Sequence, residues 1–270
     1  NIPMTNRNNR SWIVLFFMLI LAGWFTIIHF TVPYIGINSK LLNGEWVVTY
    51  IDTESWGAKA GIRVGDHITQ VDSLPPDDES FTKFNGIISA RSIEVIRDGH
   101  EVRFDFTDFH KQPISFNQTV IPMASFILLF TFSSFIVYKK PDDRSAFLLI
   151  LFLMSVAIGY LSAGGNARAD VFSGVIMKLM LTFAPVFFIH FLHEYFSVLG
   201  IQVIHKRAIY VSYILVSVWN LFIFIQVYGV FPFLHAPEST SRAALAIFIA
   251  GMGIALLVQI RMFIRYRNTT

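Results

Sequence analysis

The chain has 270 residues, 54% of them hydrophobic and only 14% charged, with a net charge of +3 and a mean hydropathy of +0.56. A water-soluble domain carries about 25% charged residues, so the deficit points to lipid as the solvent for much of the chain. The small net charge, with no large basic block, argues against nucleic acid as a partner, and the absence of cysteine excludes disulfides, thiolate metal sites and cysteine nucleophiles.

Six apolar runs, each near the ~20 residues that cross a bilayer, define a polytopic α-helical membrane protein. A short cytoplasmic N-terminus, 1–11, leads into the first run at 12–32; the others lie at 120–138, 146–163, 171–196, 208–228 and 243–263. The first is longer than a signal-peptide core and lacks a small-x-small cleavage site, so it reads as an uncleaved helix. Placing the N-terminus in the cytoplasm puts Arg7, Arg10, Lys139, Lys140, Arg144, Lys206, Arg207, Arg261, Arg265 and Arg267 inside, against Arg168 and Arg242 in the short outer loops. That asymmetry obeys the positive-inside rule and predicts a plasma-membrane protein with both ends cytoplasmic. The chain starts at Asn1 rather than Met, and 264–270 lies just past an apolar run. The first is expected of a piece of a longer chain, the second of a membrane region that hands over to a further cytoplasmic or linker segment.

Between the first two runs, residues 33–119 form an outside segment of different composition, which predicts an inserted small α/β domain. Trp46-Val-Val-Thr-Tyr-Ile51 reads as a strand, and Ile93 to Phe104 as a hairpin about an Asp98-Gly99 turn that tolerates φ > 0. Ala58-Lys-Ala-Gly-Ile-Arg-Val-Gly-Asp-His-Ile-Thr-Gln-Val-Asp72 predicts a short helix ending at Gly61, a turn at Gly65-Asp66 and a strand over His67–Val71. This stretch resembles the Ala-Gly-Leu, Gly-Asp signature of bacterial PDZ domains. Upstream, Tyr34-Ile35-Gly36-Ile37 resembles the carboxylate-binding loop of protease-type PDZ domains, which implies backbone N–H groups holding a peptide C-terminus beside an added strand. Gly36 also reads simply as a helix breaker at the membrane exit, and the module as a rigid spacer or dimer contact.

Three groups of residues carry candidate chemistry. His190-Phe-Leu-His193-Glu194 has the composition of a zinc-protease motif but the wrong order: the histidines stand at i and i+3, and Glu194 follows them. It reads as a helix end reaching the interface. Lys178, about two turns into the fourth run, is expected to snorkel to the outer surface. Ser162-Ala-Gly-Gly-Asn-Ala-Arg-Ala-Asp170 reads as a Gly-rich turn with N–H groups free to form an anion nest. Its neighbour Tyr228-Gly-Val-Phe-Pro-Phe-Leu-His235 reads either as an aromatic belt or as one wall of an outward pocket. Gly159, Gly251 and Gly253 permit close helix approach, and Pro185 predicts a kink.

The order of one helix, an external PDZ-like domain and a run of further helices resembles the sensor region of ComP-type quorum-sensing histidine kinases of Bacillus-like bacteria. The matching features are Gly61-Ile-Arg-Val-Gly-Asp66, the hairpin over Ile93–Phe106, Tyr138-Lys-Lys, and Ile158-Gly-Tyr-Leu-Ser-Ala-Gly-Gly165. The resemblance implies a secreted, prenylated peptide pheromone as ligand, competence signalling to a response regulator, a homodimer, and ATP with Mg²⁺ in a kinase part beyond these 270 residues; the residues here hold no cofactor, metal or catalytic motif. The ligand site it suggests comprises Gly164, Gly165, Arg168, Phe231 and Phe233, with Tyr34, Ile35, Gly36 and Ile37 as a second contact. The rivals are a PDZ-containing membrane scaffold and an intramembrane protease-like protein.

Overall fold

The computed structural model describes residues 9–76, 90–107, 114–198, 200–201, 204–228 and 237–267. In chain order these form α1 (Arg10–Thr31), β1 (Ile37–Leu42), β2 (Glu45–Ile51), α2 (Trp56–Ala60), β3 (His67–Val71), β4 (Ser92–Arg97) and β5 (His100–Asp105). A π-helical turn (Phe116–Val120) then leads into α3 (Ile121–Lys139), followed by α4 (Arg144–Asn166), α5 (Val171–Val198), α6 (Lys206–Val227) and α7 (Pro237–Arg267). Six of these helices are long and apolar enough to cross a membrane. The chain divides into two compact units, Trp24–Ala124 with Leu161–Gly174, and Asn1–Gly23 with Ser125–Tyr160 and Val175–Thr270.

The first unit is built on an antiparallel meander in the order β1-β2-β3-β4-β5. Alternation along β4 turns Ile93 and Val95 inward, where they join Ile35, Val48, Ile68, Val71 and Phe106 in one apolar core. Trp56 meets Phe106 edge-on at 5.5 Å between centroids, and each such buried side chain contributes about 1.5–3 kcal/mol. The β4–β5 turn has positive φ at Asp98 and Gly99, as the hairpin reading requires.

Within the Gly61–Asp66 motif the chemistry is structural. Ser55 caps α2 by accepting from the Ala58 N–H, and Gly61, at φ 94, closes it, a conformation in which a Cβ is strained. Asp66 accepts from the Arg63 N–H at 2.8 Å and takes both Nε and Nη2 of Arg97, at 2.8 and 2.5 Å. Burial alone would raise its pKa, but the Arg97 bonds and the Arg63 N–H outweigh it and hold the carboxyl below its ordinary value. The turn is thereby bolted to β4.

The strand over Ile37–Leu42 was not legible in the sequence. It pairs with β2 from Ile37↔Ile51 to Leu42↔Glu45, with a bulge at Asn38/Ser39. A bulge shifts the inward-outward alternation by one, which hides a strand from a period-two reading.

In the second unit α4 and α5 are the most enclosed helices. Their spans are 56% and 50% buried, against 11% for the span in α7, whose apolar side chains face outward as a lipid-facing helix requires. Phe152 stacks on Phe188 at 4.5 Å, and Gly159 brings α4 so close to α5 that a Cβ would lie 3.3 Å from Met180 Cβ. α5 continues through Pro185, against which Gly251 of α7 packs at 2.5 Å for an added Cβ. Asn220 Nδ2 donates to Thr182 Oγ1 at 2.8 Å, an interhelical bond away from water. Lys178 does not reach the surface as expected. It is only 4% exposed, buried within the unit.

Candidate functional site

Arg168 lies in the turn between α4 and α5, and the sequence of that turn sets its geometry. Both Arg168 N–H and Asp170 N–H donate to Gly165 O, at 2.9 and 3.1 Å, and Ala169 takes φ 59. Asp170 Oδ2 accepts from the Ser173 N–H at 2.7 Å, capping the start of α5. The turn therefore projects residue 168 inward, and the side chain is 2% exposed. Its Nη1 donates to Gly164 O at 2.7 Å, Nε to Val32 O at 3.1 Å, and Nη2 to Thr119 Oγ1 at 3.0 Å. The guanidinium carbon sits 5.4 Å from the centre of the Tyr34 ring, within cation–π range.

These partners come from the exit of α1, the start of the second span and the end of α4. Among the described residues no carboxylate bonds this guanidinium: its acceptors are two amide carbonyls and a hydroxyl. Burial pulls its pKa down to about 10, against the raising influence of Tyr34. It still carries its charge at neutral pH, and an enclosed cation without an anion is costly.

A second chain of bonds links this node to the sheet. Tyr34 Oη donates to Asp52 Oδ2 at 2.7 Å, and burial followed by that bond raises the phenol's pKa. Asp52 Oδ1 accepts from the Glu54 N–H at 2.9 Å. Glu54 Oε2 in turn accepts from Ser115 Oγ at 2.7 Å and from the Asn117 N–H at 2.9 Å, bonds that lower its pKa, with the Asn117 N–H foremost. Ser115 Oγ caps the π-turn through the Gln118 N–H at 3.0 Å, and Thr119 closes the circuit to Arg168. Sequence reasoning missed Asp52, Glu54, Ser115 and Thr119. Their only signal is that of ordinary caps, since the meeting of segments 61 residues apart leaves no local pattern.

The structure corrects the reading of Ser162–Asp170 as an open nest. α4 runs on to Asn166, so Gly164 and Gly165 lie within the helix and their N–H groups serve its backbone bonds. Their missing Cβ atoms serve packing instead: a Cβ on Gly164 would collide with the His29 ring and Gln118 O, and one on Gly165 with Ser173. Tyr34, Ile35 and Ile37 are buried, at 7%, 0% and 2%. Tyr34 O and Ile35 O accept from the Trp56 and Gly57 N–H groups at 2.9 and 3.1 Å, and Gly36 O from Asp52 N–H at 2.9 Å. Gly36 has φ 63, and a Cβ there would run into Ser55. Phe231 and Phe233, with the loop to His235, lie outside the described residues.

His190, His193 and Glu194 gather at the C-terminal end of α5. His190 Nδ1 is 3.1 Å from Tyr213 Oη, and Glu194 Oε1 is 3.5 Å from His190 Nε2 and 3.4 Å from Arg144 Nη2. Among the described residues no group of three or more His, Asp or Glu side chains is placed to hold a metal ion.

Compared with known proteins, the chain is similar to the sensor histidine kinase ComP of Bacillus subtilis (strain 168), with 26% identity over 180 residues. The match covers 62% of this chain and 23% of that protein, so the chain spans about a quarter of its relative's length. No family model matches, and no solved structure does. Six membrane-length helices and this distant likeness identify the chain as a multi-pass membrane protein.

Proposed function

We propose that this chain is the membrane sensing region of a sensor histidine kinase, and that it detects a secreted, lipid-modified peptide at the Arg168 node. The observation that carries the reading is an enclosed guanidinium held, among the described residues, by neutral acceptors. A carboxylate offers the guanidinium an opposite charge and a bidentate fit that amide carbonyls and a hydroxyl lack, so a peptide carboxylate competes for Arg168 on favourable terms. The ligand site takes in Gly164, Gly165 and Arg168, with Phe231 and Phe233 meeting the lipid tail and the Tyr34–Ile37 segment of a PDZ-like domain forming the second contact. A lipid chain concentrates the peptide in the leaflet by about 0.8 kcal/mol per buried CH₂.

Transmission follows from what Arg168 lets go. Turning toward a ligand frees Val32 O, Gly164 O and Thr119, which loosens α1, α4 and the start of the second span at once. The ligand shifts the balance between the two arrangements only by its differential affinity for them. In this reading both termini and a following kinase, using ATP and Mg²⁺, are cytoplasmic, the sheet domain is extracellular, and a homodimer signals to a response regulator.

The test is capture of culture-medium components on the purified chain in nanodiscs, read by mass spectrometry. Recovery of a short lipid-modified peptide supports the receptor. Enrichment of unmodified protein C-termini in its place favours a scaffold or protease adaptor.

A further inference from the structure

At the other end of α5, within the second unit, a cavity of about 50 Å³ is lined by Arg144, His190, His193, Glu194, Lys206 and Tyr210, with Ile209 beside them. Its walls are the first residue of α4, the last turns of α5 and the first turn of α6. Two helices thus start at this pocket, α4 with its first N–H groups taken by the Asp143 carboxylate and α6 with the Arg207 N–H taken by His205 Nδ1, so the positive potential at the pocket rests on Arg144 and Lys206. In the lining itself two cations, Arg144 and Lys206, stand with one carboxylate, Glu194. Glu194 sits 3.4 Å from Arg144 and 3.5 Å from His190, longer than the ~2.7–2.9 Å of a firm charge-assisted bond, so it leaves Arg144 only partly satisfied.

The independent sign of a ligand is His193. It is 3% exposed, it lines the cavity, and neither ring nitrogen has a hydrogen-bond partner. An enclosed imidazole with both nitrogens orphaned carries an uncompensated desolvation cost and is expected to be met by something the pocket takes up. The volume admits a few water-sized groups, which suits a phosphate's oxygens. The pocket also lies where one membrane-length helix ends and two begin, the kind of place at which basic clefts between helices take acidic lipids.

We propose that this pocket binds a phosphate group, with Arg144 and Lys206 neutralising it and the His193 N–H donating to one oxygen. An acidic phospholipid headgroup and free inorganic phosphate present the same chemistry, and the experiment separates them. The purified chain in neutral detergent is titrated with short-chain phosphatidylglycerol or with inorganic phosphate, chloride being held constant, and thermal unfolding is followed. Lys206→Gln, an exposed position, and His193→Phe, which keeps the ring and removes its nitrogens, are measured alongside. Saturable stabilisation by phosphatidylglycerol alone assigns the site to a lipid headgroup; stabilisation by both assigns it to phosphate in general. In either case half-saturation weakens by about tenfold in each variant, the loss expected for one charge-assisted bond. No saturable effect from either anion, or saturation unchanged in both variants, overturns the proposal.

Discussion

Two arginines are folded into the same unit and treated in opposite ways. Arg97, on the sheet, grips the enclosed carboxylate of Asp66 with two nitrogens, and that pairing raises its own pKa. Arg168, at the helix ends, is more deeply enclosed yet among the described residues bonds amide carbonyls and a hydroxyl in place of a carboxylate, and burial drags its pKa down to about 10. A matched ion pair is a fastening, because removing either partner strands the other's charge. A cation left with neutral acceptors is poised to exchange them for an anion.

Replacing Arg97 by methionine breaks this comparison most severely. Arg97→Met strands the Asp66 carboxylate and should cost about 3 kcal/mol of sheet-domain stability, measured by thermal unfolding of the chain in micelles. The pH dependence carries the sign. With Arg97 present, the folded-state pKa of Asp66 lies below its unfolded value of about 3.9, so its contribution is complete above that pH and is lost as pH falls through the folded value. Without Arg97 the carboxyl is pushed upward by burial, and the deficit should shrink on acidification as Asp66 takes up a proton.

Next in size is Gly164→Ala, whose Cβ meets the His29 ring and the Gln118 carbonyl. It should cost about 2 kcal/mol, as overpacking against backbone does, and should raise hydrogen exchange at the end of α4. Arg168→Met should cost less, about 1 kcal/mol, because relief of an uncompensated buried cation offsets the orphaned acceptors. A loss as large as that of Arg97→Met would mean that Arg168 is a fastening too. The smallest effect belongs to Ser115→Ala, which removes the cap on the π-turn and its bond to Glu54. About 1 kcal/mol or less is expected, with the change confined to exchange near Gln118.

The sequence disclosed the parts that rest on local pattern. Apolar length marked the spans, the hairpin announced itself at Asp98-Gly99, and Gly61 marked the end of α2. What it concealed depends on distance. Arg168 was legible as one of two cations in the short outer loops, but its burial follows from Val32 and Thr119 arriving from 136 and 49 residues away. The glycines at 164 and 165 suggested an open turn because small residues suit both turns and tight helix packing. Only the His29 ring and Ser173 in the space beside them decide for packing. Lys178 followed the general rule for membrane lysines until the surrounding helices enclosed it.

The most direct measurement compares a farnesylated peptide bearing a free C-terminal carboxylate with its amide, binding to the chain in nanodiscs, for wild type and Arg168→Met. The account predicts that wild type prefers the carboxylate by about tenfold, the worth of one charge-assisted pair, and that the variant binds both forms equally weakly. Equal binding of the two peptides by wild type, or an undiminished preference in Arg168→Met, would contradict it.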